Sequence, residues 1–256
     1  TVSVEMSKRV ADAYEAAENR PDDEDVQRAY RAASEEILAQ YDFLVGQGVT
    51  MEPWAESGQP YADSAAMVRD ARENRHLFYF KTINPEEEES FGATEEARAQ
   101  SIRDNPLLAS AGRVVKDSAG NDHDQTYNDL FRVVHDYFGH AMGGLTFGPR
   151  GEENAWRSHI RMFSAGAAPA ITTETRGQNS WVNFGPHLRR EDGSVPQKGE
   201  ADYVPMDDFG RRPFADQKVT LLPEEFQSIE GERFAVQRDG KRPSGARHRR
   251  DKKGKY

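Results

Sequence analysis

The clearest hydrophobic pattern in the chain runs from Glu24 to Val45, where apolar residues recur every three or four positions. This spacing predicts a helix with one apolar face. Pro21 and the acidic residues after it favour a helix start, because carboxylates in the first turn interact well with the helix dipole. The same periodicity predicts a helix from Val4 to Ala17, and we expect the two helices to form an antiparallel pair. The stripe of the longer helix contains Val26, Tyr30, Ala33, Ile37, Tyr41 and Leu44.

Patterns typical of strands are sparse. The aromatic run His76–Thr82 is short and bounded, which predicts a strand. A second strand is predicted at Gly112–Lys116, closed by a turn at residues 119–122. Residues 46–60 are rich in glycine and proline, which predicts a loop.

Helical periodicity returns at Asn128–Met142, the predicted central helix, and the pair Gly143-Gly144 marks its end. Further helices are predicted at Gly151–Phe163 and within Thr172–Val182. The fold class is therefore mainly α, α+β at most: a helical single domain with two or three short strands. We expect one globular domain over residues 1–240. Within it, residues 1–45 form a helical N-terminal extension and residues 128–187 form the core of a site.

Composition narrows the chemistry. The chain has no cysteine, so disulfides, thiolate metal sites and cysteine nucleophiles are excluded. No apolar run approaches the ~20 residues of a membrane span, so no membrane partner is expected. We expect an intracellular protein or one packaged in a particle.

Charge is unevenly distributed. The net charge is −10, yet residues 241–256 contain eight Lys or Arg against one Asp. Such a segment predicts a disordered basic tail, or an arm that contacts nucleic acid or other components of such a particle. The tail residues predicted to contact phosphates are Arg247, Arg249, Arg250, Lys252 and Lys253.

The densest cluster of ionisable and aromatic residues is His135-Asp136-Tyr137-Phe138-Gly139-His140. Its two histidines are five positions apart, which on a regular α-helix separates them by about 140° around the axis. They can face one ion only if the helix loosens between them, and Gly139 stands where that could happen. The alternative is a pair of buried, hydrogen-bonded histidines.

This hexapeptide resembles the iron-binding segment of the aromatic amino acid hydroxylases, His-Glu/Asp-x-x-Gly-His. In that family two histidines and a later glutamate in a Thr-x-Glu-x-Gly context bind Fe(II). The nearby segment Thr172-Thr173-Glu174-Thr175-Arg176-Gly177 is similar, with its glycine one position later. The resemblance implies His135, His140 and Glu174 as metal ligands, with open positions for dioxygen and substrate. No counterpart of the family's pterin-binding segment is present, so pterin is not implied.

Several longer sequence segments resemble a domain of tailed-phage proteins, which is found alone or inside large "polyvalent" proteins. They include Asn-Asp-Leu-Phe-Arg-Val-Val-His-Asp-Tyr-Phe-Gly-His, Gly-Glu-Glu-Asn-Ala-Trp-Arg-Ser-His and Thr-Glu-Thr-Arg-Gly-Gln-Asn-Ser-Trp-Val-Asn-Phe-Gly-Pro-His. That resemblance implies a bacteriophage origin and no particular activity.

Two further groups could complete a site. Glu152, Trp156 and His159 share one face of the second helix with Phe163, so Glu152 and His159 could be ligands or could orient a ligating imidazole. The alternative is a carboxylate at the helix N-terminus and a core histidine. The residues from Arg176 to Trp181 combine donors with an aromatic plane, which suits an anionic or amide-bearing ligand or a loop-fixing network. The candidates for substrate binding are Trp156, His159, Gln178, Asn179 and Trp181.

The sequence therefore predicts a metal-dependent enzyme, preferably a mononuclear non-haem Fe(II) oxygenase acting on a small-molecule or nucleotide-type substrate. Arg176 would orient the substrate. A zinc hydrolase could use the same residues, with Asp136 or Glu152 as the base, because imidazole and carboxylate ligands suit both metals. The different-class alternative is a non-catalytic virion or DNA-packaging protein.

Overall fold

A computed structural model describes residues 3–82, 95–206, 208 and 210–228. The predicted mainly α class is confirmed, since 52% of the described residues are helical and the described strands form two small sheets of two strands each. The helices are α1 (Val4–Ala16), α2 (Glu24–Gly46), α3 (Ser64–Arg69), α4 (Glu95–Asp104), α5 (Tyr127–Val134), α6 (Pro149–His159), α7 (Ala168–Thr172) and α8 (Gln178–Phe184). The strands are β1 (Thr50–Trp54), β2 (His76–Phe80), β3 (Ser110–Lys116) and β4 (Asp122–Thr126). The predicted basic tail and its five named cations lie outside the described residues.

Helix α2 starts where its acidic first turn predicts. The Asp23 side chain caps it, with Oδ1 accepting hydrogen bonds from the backbone N–H groups of Asp25 (2.9 Å) and Val26 (3.2 Å). Its predicted apolar stripe is buried from Val26 to Leu44. This stripe belongs to the main hydrophobic core together with side chains of α5, α6 and α7. The helix is therefore part of the core rather than an extension of it.

The sheets lie beside this core. β1 pairs with β2 in parallel, and β3 pairs with β4 antiparallel across the predicted turn. β1 falls within residues 46–60, which were predicted as loop. Pro53 and the neighbouring glycine residues concealed it, although its side chains alternate between exposed and buried positions.

The last described segment returns to α1. The hydroxyl of Tyr14 donates to the carbonyl of Asp216 (2.7 Å), and the Lys218 ammonium donates to the carbonyl of Tyr14 (2.8 Å). Leu222 and Phe226 then pack with Val10 and Tyr14 in a second, smaller apolar cluster. The extended segment 213–222 thereby reaches the side of α2, where it contributes to the site described below.

The start of α5 is fixed by one buried carboxylate. Thr126 and Asp129 form a capping box, in which each side chain accepts from the other's backbone N–H. The other Asp129 oxygen, Oδ1, accepts from the Thr82 N–H at 2.6 Å, and His123 Nε2 lies 3.0 Å from Oδ2. This contact buries His123 in β4. Burial alone would raise the pKa of Asp129, but the hydrogen bonds from His123, Thr82 and Thr126 outweigh it and lower the pKa.

In the variant Asp129→Asn we expect a loss of about 3 kcal/mol in the free energy of unfolding, because an amide N–H₂ would face buried donors. The contribution of Asp129 is present above the ordinary pKa of aspartate and is lost as the pH falls through its lowered value. Urea unfolding at neutral pH measures the change.

The matched control is Asp122→Asn, whose side chain is 70% exposed and pairs with Lys116 at the surface. We expect this change to stay within about 0.5 kcal/mol. Equal effects of the two substitutions would contradict the role of Asp129.

Candidate metal centre

The helix that begins as α5 widens at its C-terminal end. Residues His135–Ala141 form a π-helical segment, in which the Met142 N–H donates to the Tyr137 carbonyl five positions earlier at 3.0 Å. π-helical turns are rare and often occur at functional sites. The wider turn lets residues five positions apart approach on one side. The predicted loosening between His135 and His140 is therefore confirmed, and their ring centroids lie 5.2 Å apart.

Gly139 is needed in this segment for a reason that the sequence did not show. Its backbone is not in the left-handed region, so the glycine is not required by its φ angle. A Cβ atom added there would lie 3.3 Å from Ala155 Cβ, from the Ala155 carbonyl and from His135 Cε1. The absent side chain lets α6 pack directly against the π-helical segment.

That packing brings a carboxylate from α6 to the histidines. Glu152 Oε2 lies 3.4 Å from His140 Nε2 and 3.9 Å from His135 Nε2. One ligand atom from each of these residues falls within 4.8 Å of the other two. In the described part of the chain, His135, His140 and Glu152 are the group of such residues that could hold a metal ion.

Glu174, the glutamate implied by the resemblance, has a different environment. It accepts hydrogen bonds from the hydroxyl of Tyr30 (2.5 Å), from Gln178 Nε2 (2.8 Å) and from Gln217 Nε2 (2.8 and 2.9 Å). Burial raises its pKa, although these donors oppose the rise. Its lone pairs are therefore already engaged by the protein. The structure thus assembles a trio with Glu152 in the position that the resemblance gives to Glu174.

A chain of hydrogen bonds behind the site orients His135. The amide of Gln40 donates from Nε2 to the Met162 carbonyl (3.5 Å), which leaves Oε1 facing His159 Nε2 at 2.7 Å. His159 Nε2 must therefore carry a proton. Burial, reinforced by the charges of the other two histidines, lowers the pKa of His159 well below its usual range, so the ring is neutral. Its Nδ1 is then an acceptor, and His135 Nδ1, 3.3 Å away, is the donor.

The consequence is that His135 Nε2 is the ring nitrogen that faces Glu152. This atom is buried and has no hydrogen-bond partner, and the same is true of His140 Nδ1. An imidazole lone pair that faces a carboxylate oxygen repels it unless a cation or a proton lies between them. Burial alone would raise the pKa of Glu152, but the two neighbouring imidazoles lower it to about 2, so the carboxylate is charged. The donor set is therefore one that a divalent transition metal fits.

The trio opens on a cavity of about 210 Å³. Asp136 lies on its wall, and burial raises the pKa of this carboxyl despite the nearby histidines. The full lining is Asn128, Phe131, Arg132, His135, Asp136, His140, Glu152, Glu174, Thr175, Gln178, Asn179 and Gln217.

Of the predicted substrate-binding residues, Gln178 and Asn179 line this cavity. Asn179 Nδ2 also donates to Glu152 Oε2 at 3.2 Å, which helps to hold the proposed ligand. The other three candidates lie elsewhere. His159 stands behind His135, Trp156 is in the core, and Trp181 contacts Glu15 and stacks near His187.

Arg176, predicted to orient the substrate, also lies away from the cavity. Its guanidinium is 3% exposed and forms a two-point ion pair with Glu153 (2.8 and 3.0 Å). It also stacks over Trp156 at 4.2 Å. Its role is therefore structural: it joins α6 to the π-helical segment Thr173–Gly177. Arg176 was expected beside a ligand, and instead it pairs with Glu153 inside the protein.

Several cavity residues were not predicted. Asn128 and Arg132 precede the hexapeptide on α5, and the helical period could have identified them. Gln217 comes from the extended segment 213–222, and no local pattern points to it. Gln40 lies on α2, 119 residues before His159, and Tyr30 lies on the same helix, 144 residues before Glu174, so only the fold relates them to the site.

Comparison with protein-family models, curated proteins and solved structures finds no match to this chain. In the described part of the chain, no helix is both long enough and apolar enough to cross a membrane. A function for this chain therefore has to follow from the geometry of its site.

The variant Gly139→Ala tests the contact between α6 and the π-helical segment. We expect a loss of about 1–3 kcal/mol in the free energy of unfolding, because the added methyl group meets Ala155 and the His135 ring. The control is Gly46→Ala at the end of α2, where an added Cβ has no atom within 4 Å. That change should be neutral or stabilise by up to about 1 kcal/mol. Chemical denaturation measures both, and a neutral result at Gly139 would contradict the proposed contact.

Proposed function

We propose that this chain is a metal-dependent enzyme with a mononuclear centre held by His135, His140 and Glu152. The observation that carries the proposal is the position of His135 Nε2, which is buried without a hydrogen-bond partner and lies 3.9 Å from a carboxylate oxygen of Glu152. Gln40 and His159 hold the ring in this orientation, as partners of metal-ligating histidines commonly do.

The ligand type defines a class of site. Two imidazoles and one carboxylate form the ligand set of non-haem Fe(II) oxygenases and also of several zinc hydrolases. With three protein ligands, the remaining coordination positions would face the cavity. When bound, Fe(II) would supply dioxygen chemistry, whereas Zn²⁺ would lower the pKa of a bound water.

We favour the Fe(II) oxygenase because the hexapeptide His135–His140 resembles the iron-binding segment of aromatic amino acid hydroxylases. In our proposal Glu152 takes the place of the later glutamate. Glu174 stays on the cavity wall, where Tyr30, Gln178 and Gln217 hold its carboxylate in a fixed orientation. It would accept a hydrogen bond from a substrate only by giving up one of these donors.

The polar wall gives this site its substrate preference. Asn128, Thr175 and Asn179 supply hydroxyl and amide groups around a volume of about 210 Å³. Such a lining suits a small polar substrate that makes several hydrogen bonds. Phe131 supplies an aromatic side chain to the cavity wall.

A metal-dependent hydrolase is the second candidate, and Asp136 favours it. This carboxylate lies on the cavity wall next to His135, and no hydrogen bond joins it to another side chain in the part of the chain described. An unengaged carboxylate beside a metal centre can take a proton from an attacking water.

The first test is metal content. Protein purified without chelator should contain about one iron or zinc ion per chain, measured by elemental analysis. His135→Ala should lose it, and His187→Ala should keep it because His187 is exposed and stacks on Trp181. A metal-free wild-type protein that also fails to bind added Fe(II) or Zn²⁺ would contradict the proposal.

The two glutamates provide a matched pair. Glu152→Gln should weaken metal binding by more than about a hundredfold, since a ligand matters more than the partner of a ligand. Glu174→Gln should leave metal binding within about threefold, because its carboxylate is held by neutral donors. The reverse outcome would show that the ligand set implied by the resemblance is the correct one.

A third comparison separates the two reactions. For the oxygenase, the Fe(II)-loaded protein should consume dioxygen in the presence of ascorbate, and Asp136→Asn should not change that rate. For the hydrolase, the Zn²⁺-loaded protein should cleave 4-nitrophenyl acetate, and Asp136→Asn should slow it by about 10²–10⁴-fold with unchanged metal content. If both activities of the wild-type protein stay at the level of the Glu152→Gln variant, both proposed reactions are contradicted.

A further inference from the structure

A second cavity, of about 380 Å³, lies at the N-terminus of α6 and shares no lining residue with the metal site. It is formed by the N-terminus of α6, the end of α8 and the irregular segment 195–212. Its lining combines apolar and cationic side chains: Val4, Thr146, Gly148, Pro149, Arg150, Asn183, Phe184, Val195, Pro196, Gln197, Lys198, Tyr203 and Arg212.

The guanidinium of Arg212 is the unusual group in this wall. The residue is 5% exposed, and its polar contacts are neutral. Nη1 donates to Asn183 Oδ1 (2.9 Å), Nη2 donates to the Val204 carbonyl (2.7 Å), and the buried Nε has no partner. Within the described residues no carboxylate pairs with it. Burial lowers its pKa, which reflects the cost of an uncompensated charge.

Two more cations border the same space. Arg150 and Lys198 are exposed at its rim, and neither forms an ion pair with a described residue. Among the described residues, no aspartate or glutamate contributes to the lining. A cavity whose described lining has three cationic side chains and no acidic one is distinctive in a chain whose net charge is −10. Its electrostatic field attracts anions.

The helix terminus adds to this field. α6 has 11 residues, and no side chain caps its first turn. Pro149 occupies the first position and Gly148 precedes it, with open space where a Cβ would be. Free N–H groups and the positive end of the helix dipole favour an anion at this point.

We propose that this cavity binds a small organic anion, with a carboxylate or phosphate group near Arg212, Arg150 and Lys198. The aliphatic and aromatic side chains Val4, Phe184, Val195 and Tyr203 would then contact an apolar body of the ligand. The anion supplies the missing counter-charge of the buried guanidinium. This inference is independent of the metal-centre proposal, because the two sites have no residue in common.

The probe is phenyl phosphate, titrated into the full chain after chelator treatment so that no metal competes for it. Isothermal titration calorimetry should show saturable binding to one site. Inorganic phosphate should bind more weakly, because it lacks the apolar body. Absence of saturable binding would overturn the proposal, and equal affinity of the two probes would overturn the apolar contact.

Variants locate the site. Arg212→Met should weaken phenyl phosphate binding about tenfold or more, since it removes a charge-assisted interaction. Its matched control is Arg211→Met, the adjacent arginine, which is 62% exposed, pairs with Asp208 and does not line the cavity. The basic residues 241–256 are present in every variant, so any binding to them cancels in the comparison.

The variants Arg150→Gln and Lys198→Gln test the same site if Arg212→Met fails to fold. Both side chains are exposed, so neither change disturbs the core. Each should weaken phenyl phosphate binding about threefold, and the double variant about tenfold. Binding by the double variant as tight as that of the wild-type chain would overturn the proposal.

Discussion

The close packing of α6 against the π-helical segment His135–Ala141 is the contact on which the site depends. It is permitted by the missing side chain of Gly139, which lies against Ala155. The same contact places Glu152 within reach of both histidines and places His159 behind the His135 ring. One interface therefore sets the positions of Glu152, the proposed ligand, and of His159, which orients the His135 ring. The carboxylate and the imidazole that come from α6 are separated by two helical turns, so one rigid element supplies both.

The two π-helical segments at the cavity have a common effect. His135–Ala141 carries the histidines, and Thr173–Gly177 carries Glu174 and Thr175 on another wall. A widened turn leaves backbone hydrogen bonds less favourable than in an α-helix, so its persistence requires support from tertiary packing. The ion pair of Arg176 with Glu153 and the contacts of Gly177 with Tyr14 and Leu222 give that support on the second wall. The core thus stabilises backbone geometry that the site requires.

Local patterns predicted most of the helices and the first two members of the site. The stripe of α2 and the face of α5 follow from periodicity, and the five-residue spacing of His135 and His140 required the widened turn that the structure has. The third member could not be chosen locally. Glu152 and Glu174 both stand near histidines in sequence, and only the hydrogen bonds from Tyr30 and Gln217, which come from distant segments, distinguish them. Arg176 was misplaced for the same reason, since its partner Glu153 is defined by tertiary contacts.

This site differs by a single residue from the more familiar metal sites in which two histidines are four positions apart on a helix. Each residue of a regular α-helix rotates the chain by about 100°. Removal of one residue from the stretch Asp136–Phe138 would leave the histidines four positions apart, the spacing that stacks two imidazoles on one face of an undistorted α-helix. The imidazoles could then still converge, but α6 would meet a narrower helix and Gly139 would turn away from Ala155. The extra residue therefore sets the distance between two helices as well as the direction of two rings.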